Sequence, residues 1–135
     1  MKILLVDDEA ELVAELSGFL HRRGHGVTAA DGAPAAIRAL SNDGPFDVVI
    51  TDMRMPDGSG FDVVHACMGR PEPRPAMLVM SGHAAPDEIS RIRAEGAQHF
   101  FPKPLALREL ASVLAGIATH RGDTAGARVR QLSAV

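Results

Sequence analysis

Apolar residues along this chain fall into short unbroken runs that alternate with stretches of helical spacing. Five runs, at residues 2–6, 26–30, 47–51, 76–80 and 99–101, are bounded by turn residues. Short continuous runs of this kind predict strands buried on both faces, as in parallel sheets; 26–30 is the weakest. Between them, residues 11–23 place Leu12, Leu16, Phe19 and Leu20 on one helical face, with Gly24 as the stop. Residues 35–40 carry Ile37 and Leu40 after Pro34, a residue suited to a first helical turn. Residues 59–68 open with Ser59 and Asp62 at capping-box spacing. Residues 86–95 open Pro86-Asp87-Glu88, where acids favour the positive end of a helix. Residues 106–118 repeat Leu107, Leu110, Val113, Leu114 and Ile117 at three- and four-residue steps.

Five strands alternating with five helices predict an α/β fold, a (βα)5 doubly wound sandwich around a five-stranded parallel sheet. Right-handed crossovers leave few strand orders, and the flavodoxin-like order 2-1-3-4-5 is the one expected. There is no internal repeat. After Thr119 the composition shifts to Gly, Ala, Arg and Thr. Residues 1–118 are therefore expected to form the domain, and 119–135 a flexible C-terminal tail or the start of a linker.

The polar residues that close these runs add chemistry to the pattern. Asp7-Asp8 closes the first, Asp52 follows the third, Ser81 the fourth, and Lys103 lies just beyond Phe100-Phe101. In an open α/β sheet, ligands bind outside the carboxyl ends of the strands. Three acids, a hydroxyl and an ammonium are thus expected to converge on one pocket.

Length and composition narrow the choices. A chain of 135 residues suits one domain with a real core. A net charge of −3, with no basic stripe interleaved with aromatics, argues against nucleic-acid binding by this chain. A single cysteine, Cys67, excludes an internal disulfide and a cysteine-based zinc site, and is read as a small buried hydrophobe. The N-terminus lacks the shape of a signal peptide, and no stretch approaches the roughly 18–20 apolar residues of a membrane span. The expected location is the cytoplasm, with no membrane partner.

Phosphoryl transfer needs a nucleophile, neutralisation of the phosphoryl oxygens and in-line positioning. A carboxylate can be that nucleophile and form an acyl phosphate. Asp52, at the end of the middle run, is the candidate. Mg²⁺, or Mn²⁺ in its place, takes carboxylates, waters and phosphate oxygen, and Asp7, Asp8 and Asp52 offer what it requires. Lys103 offers a compact ammonium; it is one of two lysines against twelve arginines. Ser81 can donate a hydrogen bond to another oxygen. Singly, an Asp after a strand is more often a loop or cap residue, a Ser before Gly a turn residue, and a lone Lys a solvated charge. Jointly, three crowded acids would cost stability unless a cation offset them.

The segments Leu4-Leu5-Val6-Asp7-Asp8-Glu9, Asp52-Met53-Arg54-Met55-Pro56-Asp57-Gly58, Met80-Ser81-Gly82 and Lys103-Pro104 resemble the receiver domain of bacterial two-component response regulators. The resemblance runs from Met1 to about Ala118. It implies Asp52 as the phosphoacceptor (a 4-aspartylphosphate), Asp8 as a direct Mg²⁺ ligand, Asp7 as a ligand through water, and the Arg54 backbone carbonyl as a further ligand. It implies that Ser81 and Lys103 hold phosphoryl oxygens and that the Lys103–Pro104 bond is cis. Ser81 and the aromatic Phe100 would form the switch pair, Phe100 lacking the hydroxyl of the tyrosine also common there; Phe101 is read as core. Arg54 and His83 would influence how water reaches the phosphoryl group.

The same resemblance implies a sensor histidine kinase or histidine phosphotransfer protein as phosphoryl donor. The fourth helix, fifth strand and fifth helix would form the surface for a downstream protein, a homodimer or onward phosphorelay. Such a chain is a signalling switch that catalyses its own phosphorylation and dephosphorylation, not a turnover enzyme. A Mg²⁺-dependent phosphohydrolase of the haloacid-dehalogenase type is the rival, but it wants Asp-x-Asp after its first strand, which Asp7-Asp8-Glu9 does not supply. A flavodoxin-like cofactor binder is disfavoured by the lack of Trp, Tyr and a phosphate-binding loop. The other histidines (His21, His25, His65, His99 and His120) show no metal spacing.

Overall fold

The computed structural model describes the backbone of residues 1–133 and the side chains of residues 1–121. The chain divides into two compact units, one from Met1 to Pro104 and one from Leu105 onward.

In the first unit, β1 (Lys2–Val6), β2 (Gly26–Ala30), β3 (Val48–Asp52), β4 (Ala76–Ser81) and β5 (His99–Pro102) form one sheet in the order β2-β1-β3-β4-β5. Every pairing in it is parallel, as the continuous apolar runs demand. The expected fold class and strand order are those observed. Four helices connect the strands: α1 (Ala10–Arg22), α2 (Ala33–Asn42), α3 (Gly60–Met68) and α4 (Pro86–Glu95).

Alternation along each strand sends side chains to both faces. Leu4, Val6, Val49, Met77 and Val79 join one cluster with Ala36 and Leu40 of α2, Val63, Val64 and Cys67 of α3, and Ile92 of α4. Ile3, Leu5, Ile50, Leu78 and Met80 are equally buried, and α1 lies along β1 and β2 with Leu16 and Leu20 buried. β3, central in the sheet, is buried at all five positions.

One helical reading changes. The sequence expects Ile37 on the inward face of the second helix, yet Ile37 is 38% exposed. The helix begins at Ala33 rather than Ala35, and its inward stripe is Ala33, Ala36, Ala39 and Leu40. Small residues let α2 seat closely, and Ile37, one position after Ala36, falls off that stripe.

The second unit holds α5 (Leu107–Ser133). Its helical backbone passes Ala118, where the apolar periodicity fades. The expected tail at 119–135 is thus helical through Ser133; its side chains beyond Arg121, and residues 134–135, lie outside the described residues. Among the described residues no helix is long and apolar enough to cross a membrane.

Candidate functional site

The parallel register determines which side chains meet. Asp52 pairs with Met80 across β3 and β4, so Ser81 stands one residue beyond the level of Asp52. Ser81 in turn pairs with Pro102, and the Lys103 backbone N–H donates to the Ser81 carbonyl at 2.9 Å. On the other side Val6 pairs with Thr51, which brings Asp7 beside Asp52. Strand ends from four places in the sequence are thereby brought together by backbone pairing.

Lys103 is the hub. Its Nζ donates to Asp7 Oδ2 at 2.8 Å, Asp52 Oδ2 at 3.1 Å and Glu9 Oε1 at 3.1 Å. Asp7 and Asp52 are buried, at 2% and 6% exposure, whereas Asp8 and Glu9 face solvent. The second Asp7 oxygen, Oδ1, accepts the Glu9 backbone N–H at 2.9 Å, which fixes the carboxylate plane. Glu9 is the contact the sequence reading misses; three consecutive acids after β1 were its signal.

Electrostatics follow from this crowding. Burial raises the Asp52 carboxyl above its ordinary range; hydrogen bonds from Lys103 and the Arg54 backbone oppose the rise, and the Asp7 charge adds to it. Burial of Lys103 works against its charge, but hydrogen bonds to Asp7, Asp52 and Glu9 outweigh it and hold the ammonium well above the ordinary lysine range. Asp7, Asp8 and Asp52 each offer a carboxylate oxygen within 4.8 Å of the others. Hard oxygen donors so grouped fit a small divalent cation such as Mg²⁺.

The remaining site residues lie close by. Ser81 is buried and its Oγ accepts the His83 backbone N–H at 3.2 Å. Phe100 is half-buried against the core cluster, and Phe101 is buried. The Lys103–Pro104 peptide bond is cis. After β3 the chain forms a two-residue antiparallel ladder, Arg54–Met55 with Gly58–Ser59, which no apolar run announces. Gly58, at φ 154°, permits the sharp return. Gly60 then lets α3 begin against the strand end, because a Cβ there would sit 2.8 Å from the Asp52 carbonyl oxygen. Asp62 accepts the Ser59 N–H at 3.0 Å, as the capping spacing suggests. The Arg54 guanidinium reaches Glu88 in the first turn of α4 at 2.6 Å. A hollow of about 530 Å³ beside Asp7 and Asp8 is lined by α1, the end of β2 and Ala35, and does not include Asp52 or Lys103.

Residues 3–115 match the family model described as the response regulator receiver domain. A response regulator receiver protein of Anaeromyxobacter sp. is 35% identical over 78% of this chain and 44% of its own length. The probable transcriptional regulatory protein TcrX of Mycobacterium tuberculosis is 32% identical over 90% of this chain and 51% of its own. The chain thus spans about half the length of these curated relatives. Among solved structures, a response regulator receiver protein from Pseudomonas putida superposes with a TM-score of 0.80 at 29% identity, covering 85% of this chain and 95% of that one. The chemotaxis protein CheY4 of Vibrio cholerae gives 0.77 at 27% identity, covering 86% and 97%.

Proposed function

Because the chain belongs to the response regulator receiver domain family, we propose that it is a phosphorylation-controlled switch in two-component signalling, with Asp52 as phosphoacceptor. The observation that carries this reading is the Lys103 ammonium shared between the buried carboxylates of Asp7 and Asp52. One ammonium against four acids leaves the site net negative, so an incoming phosphoryl group calls for a further cation beside Lys103.

An Asp52 carboxylate oxygen attacks the phosphorus of a phosphohistidine on a sensor kinase or phosphotransfer protein. The new O–P bond forms as the N–P bond breaks, and the imidazole nitrogen keeps the bonding pair. Lys103 and Ser81 take phosphoryl oxygens, and Asp7 keeps Lys103 oriented while the charge arrives. A divalent ion held by Asp7, Asp8, Asp52 and the Arg54 carbonyl would supply charge neutralisation for the incoming phosphate.

The added charge draws the Ser81 hydroxyl toward the phosphoryl group, away from the His83 N–H it now accepts. Phe100, half-buried beside β4, takes up the space this frees, and the face formed by α4 and β5 changes for a downstream protein. In this reading the chain signals, and it releases its phosphoryl group to water without serving as a turnover enzyme.

Incubation with radiolabelled acetyl phosphate and Mg²⁺ tests the assignment. Wild type is expected to take up alkali-labile label, and Asp52→Asn to take up none; label retained in Asp52→Asn overturns it. Beryllofluoride, a phosphoryl mimic, is expected to shift amide resonances near Ser81 and Phe100. An unchanged spectrum there would remove the switch.

A further inference from the structure

The Arg54–Glu88 pair joins the phosphoacceptor loop to α4 by a path that does not pass through Ser81. The Arg54 backbone is anchored: its N–H hydrogen-bonds the Asp52 carboxylate, and its ladder partner is Ser59. Its side chain, by contrast, is 63% exposed, and Glu88 is what holds it. Glu88 is itself fixed, since the same Oε1 that takes the guanidinium also accepts the Ala85 N–H at the start of α4, at 3.2 Å. An ion pair this exposed adds little to stability. Its effect is on where the guanidinium points.

Resting on the receiver reading above, we propose that Glu88 is a positioning residue that holds the Arg54 guanidinium away from phosphorylated Asp52 and thereby shortens the life of the acyl phosphate. Arg54 sits two residues from Asp52, so its side chain has two anionic partners within its range: the Glu88 monoanion and the phosphoryl dianion. When it rests on Glu88, the line of approach for water to phosphorus is open. Swung inward, it pairs with phosphoryl oxygens bidentately and covers that approach. Glu88→Gln leaves an amide oxygen to accept the Ala85 N–H, so α4 keeps its cap while Arg54 loses its ionic partner.

The test uses the full chain labelled with radioactive acetyl phosphate, freed of donor, and followed as the label decays. Glu88→Gln is expected to slow the decay roughly two- to fivefold, the population change that loss of one exposed ion pair produces. The effect must vanish without the guanidinium, so Arg54→Ala and Arg54→Ala/Glu88→Gln are expected to decay alike. Decay of Glu88→Gln at the wild-type rate overturns the proposal, as does slowing that persists in the Arg54→Ala background. Wild type that takes no label at Asp52 would instead bring down the receiver reading, and this inference with it.

Discussion

Lys103 and Asp52 stand 51 positions apart in the chain and 3.1 Å apart in space. Only β4 separates their strands in the sheet, and the contact follows from parallel register rather than from any local turn. Asp7 shares the same ammonium at 2.8 Å, so one cation serves two buried anions.

Removing that cation leaves two buried carboxylates facing each other. Lys103→Met is expected to lower stability in EDTA by about 2 kcal/mol, less than a fully buried pair would lose because Lys103 stands at the rim and the carboxyls can share a proton. Added Mg²⁺ is expected to restore part of the loss. Urea unfolding with and without Mg²⁺ measures both; an unchanged midpoint in EDTA would show that the acids do not depend on Lys103.

Asp52 and Lys103 contribute to pH dependence in the same sense, each losing stability as pH rises, but at opposite ends of the scale. The Asp52 carboxyl, raised mainly by burial, holds its proton more tightly folded than unfolded. Its contribution favours folding below the ordinary aspartate range and is lost as pH rises through the folded value. At neutral pH ionised Asp52 therefore opposes folding, and Asp52→Asn is expected to melt higher than wild type in EDTA. Lys103 keeps its closer partner Asp7 in that variant. The gap should close on acidification, and thermal melts across the acid range decide it.

Lys103 sets the alkaline side. Its folded pKa lies above the ordinary lysine range because Asp7, Asp52 and Glu9 together outweigh its burial. The stability this brings is complete below that range and is lost as pH rises through the folded value. Melting temperatures of wild type and Lys103→Met are expected to converge in strong alkali. A constant gap would contradict this.

Gly60→Ala tests the seating of α3 on the strand end. The added Cβ would meet the Asp52 carbonyl oxygen at 2.8 Å and the Met53 Cα at 3.1 Å, both backbone atoms that cannot rotate aside. A cost of roughly 1–3 kcal/mol is expected, as for other overpacked sites. Acetyl phosphate labelling should slow as Asp52 is displaced, whereas wild-type stability and labelling would show that the backbone yields freely.

Cys67 should be silent in the native protein. It is buried on α3, and burial pushes its thiol up to about 11. Only the thiolate reacts with disulfide reagents. Mixing with a chromogenic disulfide at mildly alkaline pH is expected to give negligible reaction until denaturant is added; rapid native reaction would place the thiol at the surface.

The sheet was readable from sequence because its strands are buried on both faces, so each appears as an unbroken apolar run; β1 and β2 match the expected bounds. Asp7, Asp52, Ser81 and Lys103 were readable as a group because they end such runs. Helix faces were less legible. Alanines carry the inward stripe of α2, and Ala is too weakly apolar to outvote Ile37 in a periodicity. The length of α5 was hidden for a similar reason: its second half lacks the apolar repeat that marks a packed face. Side-chain pairings between elements, such as Arg54 with Glu88 or Lys103 with Glu9, leave no periodic trace at all.

The carboxylates of Asp7, Asp8 and Asp52 all precede Lys103 in the order of synthesis. A chain emerging from the ribosome therefore carries its mutually repelling acids before the ammonium that reconciles them. Pairing of β5 with β4, at the edge of the sheet, is the event that delivers that charge. The sheet's last strand thus arrives as a counterion, and the acids gain their ammonium only as the sheet closes its final pairing.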